Sequence, residues 1–131
     1  MADQITLLYV DDDEDMRRLM EAVLEIDGGF DAKICESGPQ ALEFLDEFEP
    51  QIMLFDVMMP EMDGPELLTA VRERGKQTPV VFITAQCDHE ELQRLMDLGA
   101  VGTIKKPFNP TSLGTEIRAL LGLPELTRQV D

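Results

Sequence analysis

The chain has 131 residues, 44% of them apolar, and a formal net charge of −16 at pH 7. That is the length of one ordinary domain, able to bury a core without disulfides or a structural metal. No apolar run approaches the ~18 residues of a membrane span, and 11 Lys and Arg against 27 Asp and Glu give no clustered cations for a nucleic acid or an anionic membrane surface. The start, Met1-Ala2-Asp3-Gln4, lacks the basic patch of a secretory signal, so a cytoplasmic location is expected. Cys35 and Cys87 fit no zinc spacing and His89 is the sole histidine; both thiols are expected to be reduced, with Cys35 in the core.

Strand and helix patterns alternate along the chain. Ile5 to Val10 is a short apolar run that stops at three aspartates, which suits a strand buried on both faces. Met16, Leu19, Met20, Val23 and Leu24 then recur at helical spacing, with Asp13 or Asp15 as cap and Gly28-Gly29 as stop. Phe30 to Cys35 is the second strand. Ser37 and Gln40 have capping-box spacing ahead of Ala41, Leu42, Leu45 and Phe48 on one helical face, and Pro50 breaks that helix. Gln51 to Phe55 is the third strand, ending at Asp56. A loop with Pro60, Asp63 and Gly64 leads to a helix carrying Leu67, Leu68 and Val71.

Pro79 to Ile83 is the fourth strand, ending at Thr84. Asp88 and Glu91 have capping-box spacing before Leu92, Leu95 and Met96, and Gly99 closes that helix. His89 falls in its first turn, facing solvent. The fifth strand lies near Val101 to Ile104 and ends at Lys105-Lys106-Pro107. Asn109 as cap and Pro110 at the first helical position open the last helix, with Leu113, Ile117, Leu120 and Leu121 inward. The methionines Met16, Met20, Met53 and Met96 read as core filler. The domain is expected to span 4–122, with 123–131 a polar tail or the start of a linker.

Five such strand–helix units argue for an α/β fold, a parallel sheet covered by helices on both faces. In a doubly wound sheet, ligands bind beyond the carboxyl ends of the strands. The residues there are Asp11-Asp12-Asp13, Asp56, Thr84 and Lys106. Taken singly, each has a routine reading as a helix cap, a solvated strand end or an edge charge. Taken together, clustered carboxylates repel by about 4 kcal/mol per close pair at an effective dielectric of 20, and a cation would relieve this. Oxygen ligands suit Mg²⁺, a lysine and a hydroxyl suit a phosphoryl group, and a carboxylate can itself be a phosphoryl acceptor.

Val10-Asp11-Asp12, Phe55-Asp56-Val57-Met58-Met59-Pro60 with Met62-Asp63-Gly64, Phe82-Ile83-Thr84-Ala85 and Lys106-Pro107-Phe108 are similar, in order and spacing, to the motifs of the response-regulator receiver domains. The resemblance covers residues 5 to 121. It implies a flavodoxin-like, doubly wound (βα)5 fold with strand order 2-1-3-4-5. It implies that Asp56 is the phosphoacceptor. Asp11, Asp12, Asp56 and the backbone carbonyl of Met58 would hold Mg²⁺, and Thr84 and Lys106 would contact the phosphoryl oxygens. A cis Lys106–Pro107 bond is expected. The implied donor is a phosphohistidine on a sensor histidine kinase or histidine phosphotransfer protein. The implied output is a downstream protein partner or output domain, with homodimerisation through the helix-four, strand-five, helix-five face as one form. Met58 and Gln86 occupy positions that affect phosphoryl lifetime in that family. The position that is aromatic in many receivers, three before the lysine, is Thr103, so a smaller rearrangement at strand five is expected on activation.

Two other readings compete. Asp11-x-Asp13 resembles the nucleophile motif of haloacid-dehalogenase-type phosphatases, although Asp15 stands where that family prefers Thr or Val. A phosphorylation-independent interaction module is the other. An EF-hand is excluded, because Met16 and Ala22 occupy its glycine and final glutamate positions.

Overall fold

The computed structural model describes residues 4–85 and 88–122. The expectations for 123–131, Gln86 and Cys87 concern residues outside those described. Among those described, five strands and five helices alternate: β1 (Ile5–Val10), α1 (Glu14–Asp27), β2 (Phe30–Cys35), α2 (Gly38–Phe44), β3 (Ile52–Asp56), α3 (Gly64–Glu73), β4 (Val80–Thr84), α4 (His89–Asp97), β5 (Gly102–Lys105) and α5 (Leu113–Leu120). The strands are parallel in the order β2-β1-β3-β4-β5. The expected α/β architecture and strand order are therefore present.

Alternation along each strand divides the core in two. Ile5, Leu7 and Tyr9 of β1, with Leu54 and Ile83, face Met20, Leu24, Leu113 and Ile117 of α1 and α5. Leu8 and Val10, with Phe55 and Phe82, face Ala41, Leu67, Val71 and Leu95 of α2, α3 and α4. β3 and β4 are buried at every residue, as strands covered on both faces require. Among the described residues, no helix is long and apolar enough to cross a membrane.

The helix ends follow local chemistry, with corrections. Asp13, not Asp15, caps α1 by accepting from the Asp15 and Met16 N–H groups, and Gly28 ends it at φ 79°. The Ser37 hydroxyl accepts from Gln40 N–H, but the Gln40 side chain reaches Glu36 N–H instead of closing a box. At α4, Asp88 accepts from Glu90 N–H while Glu91 turns to Arg94. The reciprocal box forms at α3, between Asp63 and Glu66. Asn109 and Pro110 do not open α5 directly. Asn109 caps a turn through Thr111, and the α-helix starts at Leu113. Leu19 and Met96 were expected inward and lie exposed, on the flanks of their helices. Cys35 is in the core, where burial pushes its thiol up to about 12.

One buried charge was not anticipated. Arg118 of α5 is 6% exposed. Its guanidinium donates to both carboxylate oxygens of Asp27 at the end of α1 and lies over the Phe30 ring, 4.9 Å from the centroid. Gly29 and Gly114 leave the room this pair occupies, since a Cβ at either would strike it. Removing one partner strands the other charge, and Asp27 is partly solvated, so Arg118→Met is expected to cost about 2–4 kcal/mol. The replacement of both partners is expected to cost less than the sum of the singles. Urea unfolding of the two single variants and the double variant checks this.

Candidate functional site

β1 and β3 are neighbours in the sheet, with Val10 in register with Phe55. The residues that follow, Asp11 and Asp56, therefore emerge side by side at the carboxyl edge. β4 places Thr84 beside them, and β5 delivers Lys106 just past its end. Lys106 N–H donates to the Thr84 carbonyl at 2.8 Å, which extends the β4–β5 pairing to the lysine itself. The Lys106–Pro107 bond is cis. Lys105 points into solvent; Lys106 points into the site.

Lys106 Nζ lies 3.0 Å from Asp56 Oδ1 and 3.3 Å from Asp11 Oδ2. Asp11 is 0% and Asp56 6% exposed, while Asp12 is open to solvent. One oxygen from each of Asp11, Asp12 and Asp56 falls within 4.8 Å of the others. Asp12, Asp56, Met58, Thr84 and Lys106 line one cavity of about 670 Å³, with Asp13, Val57, Ala85 and Asp88. The set expected at the strand ends is thus brought to one place. Asp13 and Asp88 share the rim, but their carboxylates are engaged as helix caps.

The donor set fits a small hard cation. Three carboxylates offer oxygen only, and with a backbone carbonyl they leave positions for water, as Mg²⁺ prefers. The loop after β3 is shaped closely around the site. Gly64 N–H donates to the Val57 carbonyl, and a Cβ on Gly64 would stand 2.5 Å from the Asp56 carbonyl oxygen and 3.0 Å from the Phe82 ring. Only glycine fits there without a shift.

The electrostatics follow from burial and crowding. Burial pushes the Asp56 carboxyl up to about 6, and the Asp11 charge adds to this against the lowering effect of Lys106. Burial alone would lower the Lys106 ammonium; its hydrogen bond to Asp56 and the charges of Asp11 and Asp56 outweigh this and raise it. Lys106 is therefore a fixed positive charge, and Asp56 is mostly ionised at neutral pH but readily relieved by a second cation.

Two supporting residues escaped the sequence reading. Tyr9 donates its hydroxyl to Asp11 Oδ2 at 2.5 Å, and Arg17 Nη1 donates to the Asp11 backbone carbonyl at 2.9 Å. Each was detectable in principle. Tyr9 is two residues before Asp11 on one strand face, and Arg17 is one helical turn beyond the Asp13 cap. With Tyr9, Lys106 and Asp13 N–H on its oxygens, Asp11 is a poor nucleophile, contrary to what the phosphatase reading needs.

Comparison with known proteins agrees with this geometry. Residues 7–118 match the family model described as the response regulator receiver domain. The transcriptional regulatory protein CpxR of Escherichia coli is 40% identical over 117 residues, which is 88% of this chain and 48% of that protein. A response regulator of Synechocystis is 34% identical over 92% of this chain and 53% of its own length. This chain spans about half the length of these curated relatives. A chemotaxis response regulator of Vibrio cholerae superposes with a TM-score of 0.82 at 29% identity, covering 89% of this chain and 98% of that one.

A carboxyl whose folded pKa is raised favours the protonated native state. In metal-free protein the Asp56 contribution to stability should therefore fall as pH rises from about 4 to about 6, and stay level above that. Asp56→Asn is expected to be more stable than the natural protein at pH 7 to 8 by on the order of 1–3 kcal/mol. The difference should shrink on acidification toward pH ~4. Urea unfolding in a chelator across this range checks it; a difference that grows on acidification contradicts it.

Proposed function

The chain belongs to the response regulator receiver domain family, and on that footing we propose that it is a phosphorylation switch with Asp56 as phosphoacceptor. Receiver domains are the signal-receiving parts of two-component systems and generally bind Mg²⁺ at an acidic site. The observation that carries the reading for this chain is the lysine that bridges two buried carboxylates, Asp11 and Asp56, beside a cavity that Asp56 and Lys106 line.

The proposed unit is residues 4–122. An Asp56 oxygen attacks the phosphorus of a phosphohistidine on a sensor histidine kinase or histidine phosphotransfer protein. The P–O bond forms, the P–N bond breaks, and the imidazole leaves with the electron pair and takes up a proton. Asp11, Asp12, Asp56 and the Met58 carbonyl would hold Mg²⁺, which supplies charge neutralisation for the phosphoryl oxygens. Lys106 would offer a second, permanent charge, and Thr84, which lines the same cavity, would donate its hydroxyl to the same oxygens. This preorganised polar environment is the main catalytic lever available, since phosphoryl transfer depends on positioning and electrostatics. Hydrolysis of the acyl phosphate by water resets the switch.

The output is a downstream protein partner or an output domain, with self-association as one form. A net charge of −16 disfavours nucleic-acid contact by this domain. Thr103 is half-buried on β5, above a groove of about 380 Å³ against Glu116, Ala119 and Leu120 of α5. With a small residue there, the output is expected to depend on the loop after β4 more than on a rotating ring.

Incubation with a small acyl-phosphate donor and Mg²⁺ should add one phosphoryl group, read by intact mass. The gain is expected to disappear in chelator and in Asp56→Asn. A gain that persists in Asp56→Asn, or that is unaffected by chelator, contradicts the reading.

A further inference from the structure

Tyr9 and Asp11 are two apart on and just beyond β1, so their side chains leave the sheet on the same face. The Tyr9 ring is 0% exposed, packed in the core beneath α1 and α5. Its hydroxyl reaches out of that core to Asp11 Oδ2. Asp11 thereby has a donor on each oxygen. Oδ2 takes the Tyr9 hydroxyl at 2.5 Å and lies 3.3 Å from Lys106 Nζ, while Oδ1 accepts from Asp13 N–H at 2.9 Å. A carboxylate oxygen accepts about two hydrogen bonds. Oδ2 is therefore filled, and Oδ1 is the oxygen with capacity left for a cation or its water.

A buried phenol needs an acceptor, and a backbone carbonyl would serve. This one instead meets a carboxylate of the proposed Mg²⁺ site. We propose that Tyr9 is a positioning residue for metal binding: its hydroxyl holds the Asp11 carboxylate in the orientation that presents Oδ1 to Mg²⁺. The inference rests on the reading of Asp11 as part of a metal site. Hydrogen-bonded partners of ligating carboxylates are worth about 10–100-fold in metal affinity. The chain has one tyrosine and no tryptophan, so its tyrosine emission comes from Tyr9 alone.

The test is a Mg²⁺ titration of the natural protein and of Tyr9→Phe by calorimetry, with circular dichroism to count the folded fraction. The natural protein is followed by tyrosine emission as well. Tyr9→Phe is expected to bind Mg²⁺ about tenfold more weakly. The emission of the natural protein is expected to change saturably, with the midpoint given by the heats. A purely structural Tyr9 would lower stability and leave affinity alone. Tyr9→Phe affinity within about twofold of the natural protein, well short of the effect expected of such partners, overturns the inference while leaving the metal site standing. So does emission that stays constant while heat is released, an arm that needs no variant to fold. No heat with the natural protein overturns the metal-site reading and this inference with it.

Discussion

A single ammonium group stands between two buried carboxylates at the carboxyl edge of the sheet. Lys106 contacts both Asp56 and Asp11, and the candidate site is arranged around that contact. Two carboxylates this deep would repel by several kcal/mol without it. The lysine offsets part of that repulsion, yet burial, with the Asp11 charge adding to it, keeps Asp56 raised to about 6, so added positive charge would be favourable there. A divalent cation and a phosphoryl group bring opposite charges, and the site has oxygen ligands for the first and a lysine for the second.

That contact exists only because of the strand order. β1 and β3 pair directly, which sets Asp11 beside Asp56, and β4 and β5 pair, which carries Lys106 in from the far side. The same edge also receives other acids, and the fold separates them by role. Asp13, Asp63 and Asp88 cap helices, and their carboxylates are occupied by backbone N–H groups. Among the described residues, this leaves Asp11, Asp12 and Asp56 as the carboxylates grouped closely enough to share a cation. Tyr9, Arg17 and the close approach at Gly64 then fasten the loops that carry those carboxylates.

The fold was legible because β1, β3 and β4 are apolar runs too short for a helix, and because the segments between the strands repeat their apolar residues at helical spacing. The site was legible because strand ends in such a sheet converge, so Asp11, Asp56, Thr84 and Lys106 could be placed together without coordinates. The misses have one origin: a capping or burial partner depends on rotamers and on residues distant in sequence. Gln40 and Glu91 had box spacing but found other partners, in Glu36 N–H and Arg94. Asn109-Pro110 looked like a helix start and is a turn that precedes one. Nothing local marks Arg118 for burial, because the Asp27 that lets it be buried is 91 residues away. Tyr9 read as one more core residue, because its ring obeys the strand pattern and only its hydroxyl does something else.

On the proposal above, Asp11, Asp12 and Asp56 form one cation site while the remaining acids of this very acidic chain do not. A crystal soaked in Mn²⁺, which shares the oxygen preference of Mg²⁺ and scatters anomalously, tests it directly. The expected result is one strong anomalous peak, within about 2.0–2.3 Å of carboxylate oxygens at the end of β1 and β3, that is lost in Asp56→Ala. A peak among other acids, such as Glu21, Glu25 and Asp31 at the opposite end of the sheet, with none at Asp56, would contradict it.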